Sequence, residues 1–340
     1  MIKEISKAIL FPILFIADLF SFSFIQRTSN LGYQGFRYLF VKTNGYSNDF
    51  ASKFISILHP NKSSSNSKGI LGELDTNKIK EICSDIRENG FTTFDVHLPD
   101  SYIHELVRFA ESTPVSYLEF DKKYITYSQE KVLFNSENNF TPRFQFETDQ
   151  LLENETIKLL CFDASMRAIA AEYLNTEPIL DLISMWWSLP YGEEAEDKAA
   201  QMYHFDMDRF GFLKFFFYLT DVDETNGPHC YVRKSNKRLP KKIREDRRIT
   251  DQEVNDLYPK EDILELCGKK GSILAVDTRG LHKGKPLIAG KRLLFQLQFS
   301  NSLFGQSYSQ PKPTNLSVEQ KKLKSQYPRT YQLINDLSDE

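Results

Sequence analysis

Cysteine is scarce: Cys83, Cys161, Cys230 and Cys267 are the only four in 340 residues, and no two form a C-x-x-C pair. That excludes a disulfide framework and a cysteine-built zinc cage, and it points to a reducing compartment. An excess of charge of one sign is also missing. Forty-three Lys and Arg face 46 Asp and Glu, a formal net charge of −3, so no overall field draws the chain to nucleic acid. Any basic binding surface must be local. Long apolar runs are absent except for Ala8 to Ile25, AILFPILFIADLFSFSFI, eighteen residues interrupted by Pro12 and Asp18. Its length is at the threshold for a membrane span. Pro12 disturbs the helix and Asp18 would place a charge at mid-span. Packing on the protein itself is favoured over contact with a membrane surface, and surface contact over spanning. No small-x-small site follows, so a cleaved signal peptide is not expected. The expected location is cytoplasmic, with membrane association through residues 8–25 left open.

The chain is 41% hydrophobic and 13% aromatic, enough for one large domain plus an extension, or two modest domains. So many aromatics suit a broad apolar interior or an aromatic-lined pocket. Residues 1–60 read as an N-terminal extension carrying the apolar segment. Between His59 and Thr76 the Ser/Asn-rich stretch PNKSSSNSKG reads as a flexible loop, so 61–75 is assigned as a linker. Residues 76–310 form the main domain and 311–340 a C-terminal helical tail. Helices are expected over Asn77–Arg87, from the Pro99-Asp100 start signal through ELVRFAES, and over Thr156–Tyr173, with a short strand in GFTTFDVHL. The tail opens with a capping box, Ser317-x-x-Gln320, and reads as a surface appendage ending near Pro328.

From Ile179 onward the pattern is that of strands. In FLKFFFYL, Phe212 to Leu219, period 2 places Lys214, Phe216 and Tyr218 opposite Leu213, Phe215 and Phe217. In RLLFQLQF, Arg292, Leu294, Gln296 and Gln298 share one face, opposite Leu293, Phe295, Leu297 and Phe299. A sheet with a wet inner face and an apolar outer face follows, its outside covered by helices from the N-terminal half.

In Tyr203-His204-Phe205-Asp206, an imidazole and a carboxylate stand two residues apart, so on a strand they project from one face toward a shared ion. H-x-D by itself is more commonly a surface or strand-end pair than a ligand set. Its company changes the reading: His282 lies in a Gly-bounded turn, DTRGLHKGKP, 76 residues after Asp206, and Arg292 follows ten residues later on the wet face. Two His and one carboxylate leave coordination positions open, the arrangement of non-haem iron(II) oxygenases. A guanidinium inside a sheet needs a carboxylate partner, and its fork suits the distal carboxylate of a dicarboxylic acid such as 2-oxoglutarate.

Taken in order, GFTTFDVHLPDSYIHELVRF, EYLNTEPIL with MWWSLP, YHFDMD, ETNGPHCYVRKSNK, and GSILAVDTRGLHKGKP followed by KRLLFQLQFS resemble the phytanoyl-CoA dioxygenase-like branch of the Fe(II)/2-oxoglutarate dioxygenases. The resemblance covers most of Ile70 to Ser302. It implies a mainly β fold with flanking helices, a double-stranded β-helix of the jelly-roll or cupin type. It implies iron(II) held by His204, Asp206 and His282, with the C5 carboxylate of 2-oxoglutarate on Arg292 and dioxygen as oxidant. Oxidative decarboxylation to succinate and CO2 would then be coupled to hydroxylation of an unactivated C–H bond. RKSNK stands where the family often has a Gly-Ser-His-Lys-like run, so the relatives' substrates do not transfer. Halogenating relatives replace the carboxylate by a small residue, so Asp206 favours hydroxylation.

Other residues carry weaker expectations. Lys214 is a second candidate for the co-substrate carboxylate, with a plain interior position favoured. At most one of Trp186 and Trp187 lines the substrate pocket, since neighbours on a strand face opposite ways. His229 is expected to be structural, and Tyr203 to point away from the metal. Arg233 to Arg248, RKSNKRLPKKIREDRR, holds nine basic residues against two acidic. Such a segment near the mouth of the site would attract an anionic substrate, although a solvated loop is the commoner outcome. The expected enzyme is therefore an oxidoreductase, a 2-oxoglutarate-dependent dioxygenase acting on a small or lipid-like, anionic or neutral, metabolite. Two rivals remain: a non-catalytic cupin-like scaffold at a membrane surface, and a metal-dependent hydrolase or isomerase in the same barrel.

Overall fold

The computed structural model describes residues 2–62, 66–119, 126–137, 140–192, 197 and 199–339. Three helices come first, α1 (Ile2–Ile25), α2 (Asn30–Thr43) and α3 (Tyr46–Leu58), followed by the hairpin β1 (Asn66–Gly69) and β2 (Gly72–Asp75). Next are α4 (Thr76–Asn89), β3 (Phe91–Thr93), α5 (Asp100–Ser112), β4 (Ser116–Glu119), β5 (Thr126–Tyr127) and β6 (Arg143–Gln145). Three more helices, α6 (Thr148–Leu152), α7 (Glu155–Cys161) and α8 (Ala164–Leu174), precede β7 (Ile179–Ser188), β8 (Phe212–Tyr218) and β9 (His229–Val232). The chain ends with α9 (Asp251–Asn255), β10 (Ile263–Leu266), β11 (Ile273–Val276), β12 (His282–Gly284), β13 (Arg292–Ser300) and α10 (Val318–Gln326).

The strands form two antiparallel sheets beside the first hairpin. One has eight strands in the order β3-β11-β8-β13-β7-β6-β4-β5, the other three in the order β10-β9-β12. Period-2 alternation divides the large sheet as expected. Leu293, Phe295, Leu297 and Phe299 of β13 join Leu213, Phe215 and Phe217 of β8 in the main core, under α4, α5, α7 and α8. Each such side chain contributes roughly 1.5–3 kcal/mol of burial energy. Phe216, Tyr218, Leu274, Leu294 and Trp186 on the other face pack against Tyr231 and Leu266 of the small sheet, so the two sheets face each other. A third cluster joins Phe36 and Phe40 of α2 to Tyr203, Phe205, Met207, Phe210 and Phe304. The N-terminal helices thus lie directly behind the H-x-D segment.

Helix α4 ends at Gly90, whose φ of +92° suits glycine, and a Cβ there would collide with the Tyr231 ring. Three expectations differ from the structure. The single helix expected over Thr156–Tyr173 is two, α7 and α8, because the Asp163 carboxylate between them caps α8 at Met166 N and also accepts from Ile70 N. As an N-cap, Asp163 takes an extended backbone, with ψ of 125°, which a continuing helix does not allow. The bond from Ile70 N explains why the expected linker contains a hairpin: Leu71 and Leu74 are buried and the turn is tied to Asp163 and Ser165. The capping box of Ser317 and Gln320 forms as expected, yet the tail is not confined to the surface. Tyr331 is 1% exposed and stacks on Phe162 at 4.2 Å.

Candidate metal centre

His204 and His282 are paired by two backbone hydrogen bonds, His204 N to His282 O at 3.0 Å and His282 N to His204 O at 2.9 Å. Such a pair holds two side chains abreast, and the imidazole centroids lie 4.3 Å apart. Tyr203, Phe205 and Met207 alternate with the polar residues and turn into the apolar cluster, so His204, Asp206 and Asp208 turn the other way, into a pocket. His204 Nε2 lies 3.7 Å from Asp206 Oδ1, and His282 Nε2 lies 3.5 Å from Asp206 Oδ2. All three ligand atoms fall within 4.8 Å of one another.

The tautomers are set locally. His204 Nδ1 donates to Met202 O at 2.9 Å and His282 Nδ1 to Gly280 O at 3.0 Å, which only a protonated Nδ1 can do. That leaves each Nε2 lone pair facing the carboxylate. Burial lowers the pKa of both imidazoles, that of His282 the further, so both are neutral donors at pH 7. For Asp206 burial works upward, but Lys214 and the two imidazoles overcome it and hold the carboxyl below the usual carboxylate range. Lys214 Nζ reaches Asp206 Oδ2 at 2.6 Å and Asp208 Oδ2 at 3.0 Å, and these two carboxylates raise its pKa against the pull of burial. Burial raises the Asp208 carboxyl, Lys214 offsets part of that, and the neighbouring Asp206 charge adds to it.

The turn before His282 is fixed from several sides. Asp277 N donates to Gly90 O, Tyr231 Oη donates to Asp277 O, and Leu281 N donates to Ser235 Oγ, at 2.8, 2.7 and 2.7 Å. The Asp277 carboxylate accepts from Tyr173 Oη at 2.7 Å and from Arg279. Arg279 in turn bridges to Asp49 of α3 at 3.1 Å.

The pocket is about 780 Å³ and is lined by the inner faces of β6, β7, β8, β9 and β13. On three neighbouring strands Arg143, Ser188 and Arg292 stand abreast. Arg292 is 6% exposed, touches Ser188 Oγ at 3.3 Å, and has no hydrogen-bond partner at Nε. Among the described residues no carboxylate pairs with it. Burial lowers its pKa to about 10, which leaves it a cation at pH 7. A buried guanidinium without a counter-ion costs several kcal/mol, so the site fits a dicarboxylic acid. The two imidazoles and one carboxylate fit a mid-series divalent metal such as iron(II).

Other expected residues divide as strand geometry dictates. Trp186 lines the pocket under Arg143, whose guanidinium lies 4.1 Å from its ring, while Trp187 is fully buried in the main core against Phe134. Lys214 is engaged by two carboxylates. No residue from 233 to 248 lines the pocket. This basic segment instead packs on the N-terminal helices, through Arg238 to Asp49, Arg37 to Asp246, and Leu239 N to Asn44 Oδ1. Sequence reasoning passed over Arg143 and Asp208, although R-x-Q in PRFQFE and the second Asp of YHFDMD were visible as alternating polar positions. His229 also lines the pocket, 5.4 Å from the His282 ring, with Nε2 buried and unpartnered.

Residues 86–292 match the family model described as phytanoyl-CoA dioxygenase (PhyH). No curated protein sequence matches the chain. Among solved structures, AviO1 from Streptomyces viridochromogenes Tue57 is 15% identical, with a TM-score of 0.45, over 69% of this chain and 100% of that one. The non-heme alpha ketoglutarate dependent epimerase SnoN from nogalamycin biosynthesis is 18% identical, TM-score 0.42, over 66% and 83%. HygX from Streptomyces hygroscopicus, solved with nickel, 2-oxoglutarate and hygromycin B bound, is 12% identical, TM-score 0.43, over 71% and 94%. The assignment rests on the family model, which spans well over half of the chain: this chain belongs to the phytanoyl-CoA dioxygenase family, whose enzymes use iron(II), 2-oxoglutarate and dioxygen.

Proposed function

We propose that the chain hydroxylates a small or lipid-like metabolite, with iron(II) held by His204, Asp206 and His282 and 2-oxoglutarate held by Arg292. The observation that carries this reading is that the three-ligand cluster and an unpaired buried guanidinium open into one pocket. When bound, the iron supplies the activation of dioxygen and the oxidising power. The chain's own residues do the positioning. Nδ1–H donation to Met202 O and Gly280 O fixes both imidazole planes. Lys214 donates to Asp206 Oδ2 and so fixes the plane of the carboxylate that would hold the iron. Arg292 and Ser188 would hold the distal carboxylate of 2-oxoglutarate in the same pocket as the three-ligand cluster. Trp186, Leu294 and Phe216 give the substrate an apolar wall, and Arg143 adds a cation for an anionic group.

The test is succinate formation from 2-oxoglutarate by anaerobically iron-loaded protein once oxygen is admitted. Wild type forms succinate and His204→Ala forms none. Arg292→Ala raises the 2-oxoglutarate requirement roughly thirtyfold or more, as expected for truncating one partner of a buried charge pair, about 2 kcal/mol upward. If wild type binds neither iron nor 2-oxoglutarate, the enzymatic reading is wrong and the scaffold reading replaces it. A position of α1 against a membrane surface belongs to this proposal, because a lipid-like substrate would be met there.

A further inference from the structure

The inner side of α1 is committed to the protein. Asp18 is buried and accepts from Ser29 N at the start of α2. Phe15 and Phe22 pack edge-on against Phe304, and α2 comes so near at Gly35 that a Cβ would collide with Phe11 O. The outer side carries Ile9, Ile13, Ile16, Phe20, Phe24 and Ile25, each more than half exposed. No charged residue from Ala8 to Ile25 faces outward, because Asp18 is the only one in that stretch. On α3, Tyr46, Phe50, Phe54 and Ile57 are exposed as well. Exposed apolar side chains grouped in this way mark a protein or membrane interaction site.

Charge identifies the occupant. Residues 1–58 hold six Lys and Arg against three Asp and Glu, in a chain whose total is −3. Two of those acids are spent internally, Asp18 on the cap of α2 and Asp49 on Arg238 and Arg279, and one of the bases, Arg37, is spent on Asp246. The basic segment 233–248 abuts the same helices, with Arg238 lying 3.7 Å over the Tyr46 ring, and Lys241 and Lys242 are exposed. Two copies of a basic face repel each other, whereas anionic headgroups complement it and the apolar side chains enter the acyl boundary. The tie of α1 to α2 and to Phe304 rules against its crossing a bilayer, since insertion would strip Asp18 of its partner.

The surface also leads to the pocket. Gln306, Ser309 and Gln310 are exposed residues on its rim, and the segment that bears them is tied to the α1–α2 turn by Gly305 N to Thr28 Oγ1 at 2.9 Å and Tyr308 Oη to Gln26 O at 2.6 Å. We infer that α1, α3 and the basic segment form a docking surface for an anionic phospholipid bilayer, which sets the pocket rim beside the membrane. The inference deepens the lipid-like substrate reading and rests on it.

The experiment is co-sedimentation of the full chain with vesicles of phosphatidylcholine alone and of phosphatidylcholine mixed with phosphatidylglycerol. Binding is expected to be roughly tenfold or more stronger to the mixed vesicles and to weaken with salt. Ile16→Glu with Phe20→Glu abolishes it, Phe54→Glu weakens it, and Lys241→Gln with Lys242→Gln removes the preference for anionic lipid. Each variant should form succinate from free 2-oxoglutarate as wild type does, which shows that it is folded. Equal binding to both vesicles, binding that Ile16→Glu with Phe20→Glu leaves intact, or retention through high salt and alkaline carbonate would each overturn the proposal. So would a concentration-dependent dimer, abolished by Ile16→Glu, in a protein that ignores vesicles. A protein that binds mixed vesicles but forms no succinate refutes the enzymatic reading and leaves the docking surface standing.

Discussion

Lys214 sits between two half-buried carboxylates, 2.6 Å from Asp206 and 3.0 Å from Asp208, and so competes with any cation for Asp206. Lys214→Met should destabilise the metal-free protein by about 3–5 kcal/mol, the usual cost of orphaning a buried charge. Iron should restore part of that loss, because it returns a positive charge to Asp206. The shift in melting temperature on iron loading should then be larger in the variant than in wild type; an unchanged shift would show that Lys214 and the metal do not share the carboxylate. His229 gives a pH signature. Burial, helped by Arg292, lowers its pKa to about 3 from an ordinary value near 6.5. Between those values the unfolded chain binds the proton and the folded one does not, so stability is complete above pH 6.5 and falls as pH drops toward 3. One such group gives a slope of up to about 1.4 kcal/mol per pH unit. His229→Phe should flatten the stability profile of the metal-free protein by that amount between pH 6 and 4. An identical profile in the variant would mean that the ring is not buried as described.

At the scale of elements, two connections carry more than their length suggests. The Asp163 side chain caps α8 and also accepts from Ile70 N at 2.6 Å, so one carboxylate starts α8 and anchors the β1–β2 turn. Asp163→Ala should cost about 2 kcal/mol, combining a lost cap with a part-buried N–H left without its partner. Urea unfolding measures it, and a loss below about 0.5 kcal/mol would sink the shared role. The C-terminal segment is joined to the core through Tyr331, stacked on Phe162, and Tyr327, under Arg167 at 3.5 Å from its ring. Tyr331→Ala should destabilise by about 3–5 kcal/mol, as core aromatics do. A dispensable appendage would show almost no change.

For the whole molecule, the N-terminal helices and the turn before His282 form one mechanical unit. Phe36 packs on Phe210 at 5.3 Å between ring centroids, Phe40 on Phe205 at 5.8 Å, and Asp49 holds Arg279, three residues before His282. Asp49→Ala should therefore weaken iron binding severalfold as well as lower stability, read by anaerobic titration beside thermal unfolding. Stability that falls while iron affinity holds would separate the helices from the site. The pocket, the turn and the exposed apolar face are thus reached by one continuous set of contacts, which is how contact at α1 would be felt at the pocket rim.

The sequence alone determined the periodic and local features: which faces of β8 and β13 are wet, that His204 and Asp206 share a face, that Trp186 and Trp187 part, and that Ser317 and Gln320 cap a helix. These follow from dihedral periods and from hydrogen bonds between near neighbours, which any reader of the chain can apply. Tertiary structure alone decided the rest. It tied Lys214 to Asp206 and Asp208, brought Arg143 abreast of Arg292, joined Asp163 to Ile70, and placed Asp49 of α3 against Arg279. It also moved the basic segment away from the pocket and onto the helices bearing the apolar face. The physical reason is that these partners lie up to 230 residues apart, and a charge or hydroxyl carries no local pattern that names its partner. Only the closing of the sheets and the burial of the groups, which makes an unpaired charge costly, selects it.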